Sequence, residues 1–136
     1  MQDNIAILPK GKDRIEPQPI NLLKFFKIWF GPMPAKIQQR LISIKNHSPQ
    51  AEISLFWGPA YLDEINKVNI KTFAKKYSIA LIDLASISAT HLIEEILLAL
   101  VHLELEHWKK HAEQGNLAAA SDILRLVQSC YQYGYY

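Results

Sequence analysis

Hydrophobic positions along this chain fall either into short dense runs bounded by breakers or into longer stretches with helical spacing. Residues 22–30, LLKFFKIWF, are almost continuously apolar or aromatic and stop at Gly31-Pro32. Such a run predicts a strand buried on both faces, as in a parallel sheet. Residues 52–57, EISLFW, closed by Gly58-Pro59, and residues 78–84, SIALIDL, predict two more strands. Between the first two, Pro34 suits a first helical turn, and Ile37, Leu41 and Ile44 recur at spacings of four and three. That helix is expected to end before Pro49, because the residue ahead of a proline avoids helical geometry.

Residues 62–77 place Leu62, Ile65, Phe73 and Tyr77 at helical spacing, with Asn66 to Asn69 a weak spot that splits the pattern. Ser88 or Thr90 could cap a long third helix, with Glu94 and Glu95 near its positive end. Leu92, Ile96, Leu97, Leu100, Leu103 and Trp108 form its expected apolar side, Lys109, Lys110 and His111 its last turn, and Gly115 its stop. Residues 116–136 then predict a further helix that breaks into an aromatic turn at Tyr131. Strand, helix, strand, helix, strand, helix, helix is the alternation that builds a short, mainly parallel sheet flanked by helices, an α/β fold. Ligands of such sheets sit beyond the carboxyl ends of the strands. This places Trp29-Phe30-Gly31-Pro32 and Trp57-Gly58-Pro59 at the expected binding edge.

Composition narrows the picture without changing it. The 136 residues suffice for one domain or part of one, and 49% hydrophobic with 21% charged residues is a globular balance. Residues 1–19 mix prolines, a glycine and charges, and predict a flexible lead-in with no apolar signal segment, leaving residues 20–136 as the folded part. A net charge of +2 with dispersed Lys and Arg does not favour nucleic acid. The cluster around Ile96 to Leu105 is broken by His102 and Glu104 and predicts no membrane span. The single cysteine, Cys130, fits a reducing compartment.

Candidate chemistry concentrates near the end of the chain. Asp122 and Arg125 stand three apart, so a carboxylate and a guanidinium share one helical face, and Ala118, Ala119 and Ala120 leave the backbone ahead of them open to close approach. By itself such a pair is an ordinary solvated ion pair. His102, His107 and His111 have metal-compatible spacing, yet neighbouring lysines repel a cation, so they are expected to form a polar helix face and no metal site. Asp63, Glu64, Glu94 and Glu95 read as first-turn acids, and Cys130 as a structural thiol.

AAASDILR, followed by a tyrosine-rich turn that ends on Tyr136, resembles the sugar-binding segment of the Asp-x-Asp glycosyltransferase superfamily. That group includes clostridial glucosylating toxins, related bacterial effectors, capsule-polysaccharide transferases and outer-chain mannosyltransferases. Its pattern is roughly A-x-x-S-D-x-x-R, a hydrophobic helix, then Tyr-Gly-Gly-x-Tyr-x-Asp-x-Asp. Ser121, Asp122, Arg125, Gly134 and Tyr136 match it, one glycine of the pair is replaced by tyrosine, and the aspartate pair would fall beyond Tyr136. IWFGPMP at the end of the first strand resembles the Ile-Trp-x-Gly segment that opens the catalytic domain of the same superfamily.

The resemblance implies the amino-terminal, nucleotide-binding half of a GT-A-type (Rossmann-like) glycosyltransferase, covering residues 20–136. Trp29 would stack on the nucleotide base, and Asp122, Arg125 and Tyr136 would hold the donor sugar. The donor would be a nucleotide sugar, most simply a UDP-sugar, and the acceptor a hydroxyl on a protein or glycan. A divalent metal, manganese or magnesium, is implied for the full enzyme, with none bound by this chain, which is then expected to be inactive alone and to look cut at Tyr136. No catalytic residue is assigned. A cytoplasmic setting, or delivery as a bacterial effector into a host cytosol, is also implied. A non-catalytic α/β module that binds a nucleotide or a protein partner is the competing reading.

Overall fold

A computed structural model of the chain describes residues 23–111 and 116–136. The expected lead-in over residues 1–19 and the helix stop at Gly115 lie outside the described residues. Three short strands form one sheet in the order β1 (Lys24–Ile28), β2 (Glu52–Trp57), β3 (Ala80–Asp83), and every pairing is parallel. β1 runs in register with β2 from Lys24 opposite Glu52 to Ile28 opposite Phe56. Helices α1 (Ala35–His47) and α2 (Glu64–Lys76) make the two crossovers, and α3 (Leu92–Lys110) and α4 (Leu117–Leu124) follow. The fold is thus α/β, a short parallel sheet flanked by helices.

Side-chain alternation along the strands divides the core into two layers. Ile53 and Leu55 pack with Leu41 of α1 and Phe73 and Ala74 of α2 on one side. Phe26, Ile28 and Phe56 pack with Val101 and Leu105 of α3 and Ala120 and Leu124 of α4 on the other. Helices therefore cover both faces, which is why all three strands read as nearly continuous apolar runs.

Local sequence explains most boundaries. α1 begins after Pro34, and α2 is capped by Asp63, whose Oδ1 accepts from both Asn66 N and Asn66 Nδ2. Those bonds put Asn66 to work in the first turn, so the expected break at Asn66 to Asn69 is absent and α2 is continuous. Leu84 belongs to a short 3-10 turn, Leu84–Ser86, and not to the third strand. Trp57, expected at the binding edge, is buried against Leu62 and Ile70. Among the described residues no helix is long and apolar enough to cross a membrane.

α3 departs most from expectation. Neither Ser88 nor Thr90 caps it: His91 does, its ring Nδ1 accepting from Glu94 N at 3.4 Å. The inward side carries Leu97, Leu98, Val101, Leu105 and Trp108, whereas Leu92, Ile96, Leu100 and Leu103 are 42–68% exposed. The helix is apolar around most of its circumference, and spacing cannot tell which of two stripes meets the sheet.

What selects the stripe includes Glu94, which is no surface acid but 2% exposed. Its Oε1 accepts from Thr90 N and Thr90 Oγ1, both at 3.0 Å, and its Oε2 accepts from Gln128 N at 2.8 Å. The backbone bond from Thr90 and then that from Gln128 hold the carboxyl below its ordinary range, outweighing its desolvation. Glu94 thereby ties the start of α3 to the segment that follows α4.

A group whose folded-state value is lowered stabilises above its unfolded value and loses that contribution as pH falls through the folded one. Glu94→Gln should therefore lower the thermal midpoint at neutral pH, with the deficit shrinking as pH drops below about 4.3, the unfolded carboxylate range. Midpoints recorded by circular dichroism from pH 7 to pH 3 check this. A deficit independent of pH would mean that the carboxylate charge is not what the clamp uses.

Candidate functional site

The end of the chain returns to its first strand. After α4, the 3-10 segment Gln128–Tyr133 crosses beneath β1, and Tyr135 forms a parallel bridge with Phe25. Phe26 N donates to Tyr135 O at 2.7 Å, and Tyr135 N donates to Lys24 O at 2.9 Å. Gly134 makes the approach possible. Its φ is +114°, and a Cβ at this position would collide with the Lys24 carbonyl. Gly31, at φ +88°, turns the chain at the other end of β1 and packs against Leu117 of α4.

Aromatic rings lock the returning segment in place. Phe26 is fully buried, and the Tyr131 ring meets it edge-on at 4.9 Å between centroids, with Tyr136 tilted against it at 5.3 Å. Tyr131 Oη donates to Arg125 O at 3.0 Å. The Arg125 guanidinium lies 4.8 Å from the centre of the Tyr136 ring, and Lys27 Nζ lies 5.2 Å from it. Both are within cation–π reach.

Asp122 and Arg125 form the expected pair, with Asp122 Oδ1 and Arg125 Nη2 3.4 Å apart. Their side chains are 69% and 43% exposed, so as a structural contact the pair contributes under about 1 kcal/mol. Stability does not account for it. Ala120 faces the core rather than the open side, so Ala118, which is exposed, and Ala119, which is half-buried, are what leave that backbone approachable.

A groove of about 720 Å³ lies between β1 and α1, with Tyr136 of the returning segment in its lining. That volume is within the usual range for small-molecule sites. Trp29 and Tyr136 both line it, over an apolar floor that includes Ile37, Leu41 and Leu55. Trp29 is half-buried, and its Nε1 donates to Pro32 O at 2.9 Å, which fixes the indole at the carboxyl end of β1. Of the four residues singled out in sequence, Arg125 and Tyr136 touch, Asp122 pairs with Arg125, and Trp29 shares the groove with Tyr136. Lys27 and Arg40, which also line it, went unnoticed in sequence. Lys27 carried a signal nonetheless, since it stands two before Trp29 on a strand and so shares its face.

The remaining candidates are occupied elsewhere. His102 Nδ1 and Tyr61 Oη are hydrogen-bonded at 2.6 Å, and burial, then the charge of Glu106, pushes the Tyr61 phenol up. His107 and His111 are exposed with ring centroids 5.0 Å apart. Among the described residues no group of three or more His, Cys, Asp or Glu side chains could hold a metal ion. Cys130 is buried in the 3-10 helix Gln128–Tyr133, beyond the end of α4. Burial and then the charge of Glu94 push its thiol up to about 12, so it stays protonated and unreactive.

Gly134→Ala should cost about 1–3 kcal/mol in chemical denaturation, because a side chain is forced into a region that glycine alone enters freely. It should also release Tyr136 from Phe26, visible as altered near-ultraviolet circular dichroism. Unchanged stability would mean that the terminal segment does not dock on β1.

The family model described as glycosyltransferase family 88 matches residues 20–136. No curated protein matches the chain.

Proposed function

The chain belongs to glycosyltransferase family 88, and we propose that residues 20–136 are the donor-binding part of an Asp-x-Asp, GT-A-type glycosyltransferase domain. In this reading the donor is a UDP-sugar, and the acceptor is a hydroxyl on a protein or glycan. The observation that carries it is that Trp29 and Tyr136 line one groove, with Arg125 against the Tyr136 ring and Asp122 paired to Arg125.

Each residue type suits its role. The half-buried indole of Trp29 offers a flat face for a base, and such stacking is worth about 1–3 kcal/mol per base. Asp122 can accept hydrogen bonds from two neighbouring sugar hydroxyls, and Arg125 donates through a rigid planar fork. Contact with the Tyr136 ring and pairing with Asp122 restrain the guanidinium, so less ordering is needed when a sugar binds. The solvated Asp122–Arg125 pair, of slight value to the fold, becomes intelligible as a recognition pair.

The divalent cation that this enzyme class implies does not fit the residues in hand. Among the described residues no group of three or more His, Cys, Asp or Glu side chains could hold it. Donor binding is the activity assigned to these residues. A surface of a different kind supports the second reading, a protein-binding module: Leu92, Ile93, Ile96, Leu100 and Leu103 expose one apolar stripe of α3. Nucleotide binding separates donor binding from the protein-binding form of that module, and added affinity for the sugar separates it from a module that binds the nucleotide alone.

UDP added to the chain should quench tryptophan emission. Trp29→Ala should abolish that change and weaken binding roughly tenfold or more, since about 1.4 kcal/mol is a factor of ten. Trp57→Ala, a core change, should leave the quench in place. Unaltered UDP affinity in Trp29→Ala would return the indole to a packing role. Arg125→Lys probes the sugar: with UDP-glucose and UDP-N-acetylglucosamine as ligands, the variant should bind UDP normally but lose whatever affinity the sugar adds. Retention of that increment would remove Arg125 from the sugar site.

A further inference from the structure

A nucleotide sugar brings two phosphates into the site, and their charge needs a counterpart. We infer that Lys27 is the residue that holds the donor's phosphates, an assignment that rests on the nucleotide reading above. Lys27 and Trp29 stand two apart at the carboxyl end of β1, so both side chains project from the same face of the strand. Both line the groove, and Lys27 Nζ lies 5.2 Å over the Tyr136 ring. The ammonium therefore lies against the tyrosine assigned to the sugar, on the strand face that also carries the indole assigned to the base. In a nucleotide sugar the diphosphate joins those two parts.

The surroundings favour an anion. Arg40 of α1 lines the same groove, and among the described residues no aspartate or glutamate does. The apolar floor strengthens the field of each cation, because charges interact more strongly away from bulk water. Lys27 is half-buried on a strand whose register with β2 places it opposite Leu55, so its backbone position is fixed. A lysine acts on phosphate as a point charge that swings to meet whichever oxygen is nearest. Cation–π contact with Tyr136 holds the ammonium ready without neutralising it.

The test is calorimetric titration of the 136-residue chain with uridine, UMP and UDP, for the wild type and for Lys27→Met and Lys27→Gln. Wild type should bind UDP at least about tenfold more tightly than uridine, as charge-assisted contacts to phosphate require, and raised salt should narrow that gap. Both variants should retain the native circular dichroism and bring UDP to within about threefold of uridine. Variants that keep the wild-type ratio would overturn the role of Lys27 while leaving base stacking on Trp29 intact. A wild-type chain that binds neither uridine nor UDP would overturn the nucleotide reading, and this assignment with it.

Discussion

Two backbone hydrogen bonds, Phe26 N to Tyr135 O and Tyr135 N to Lys24 O, join the end of this chain to its first strand. The candidate site depends on them. They bring Tyr136 to a groove that Trp29 already lines, with Arg125 against the Tyr136 ring. Their formation needs a glycine at position 134, because only a residue without Cβ can pass the Lys24 carbonyl at that angle. It also needs Glu94, which receives Gln128 N and so steers the segment after α4 toward β1. Phe26 completes the arrangement by giving Tyr131 and Tyr136 a buried ring to pack on.

Stability and recognition are separated within this arrangement. The buried parts, Phe26, Leu124, Val127 and Cys130, hold the segment in place through apolar contact. The exposed parts, Asp122 and Arg125, contribute little to folding and keep their hydrogen-bonding capacity. Such a division lets a site be rigid at its base and open at its tip, which limits the ordering a ligand must bring about.

The sheet was legible because strands covered on both faces leave dense apolar runs, and EISLFW has no other sensible reading. α1 and α2 were legible through Pro34 and the spacing of Leu41 and Phe73. α3 was misread because its apolar residues occupy two stripes, and the choice between them is made by tertiary contacts of Glu94, Val101 and Leu105 that spacing does not encode. A buried carboxylate that takes three hydrogen bonds looks, in sequence, like any first-turn acid. Likewise, Trp57 and Trp29 both precede a glycine at or near a strand end, yet one is core and the other lines a groove. The Asp122–Arg125 pair followed from helical spacing, whereas Tyr136 and Trp29 were brought together only by resemblance. Lys27 needed the groove itself to be noticed.

Donor binding at this site requires that a nucleotide bind in the groove between β1 and α1. Amide and indole resonances of the labelled chain, followed by nuclear magnetic resonance during addition of UDP, test this most directly. The indole N–H of Trp29 and the amides of Gly31, Arg125 and Tyr136 should shift together along one saturating curve, while those of Leu92 to Leu103 on α3 stay in place. Shifts confined to α3, or none at the β1 edge at saturating UDP, would contradict it.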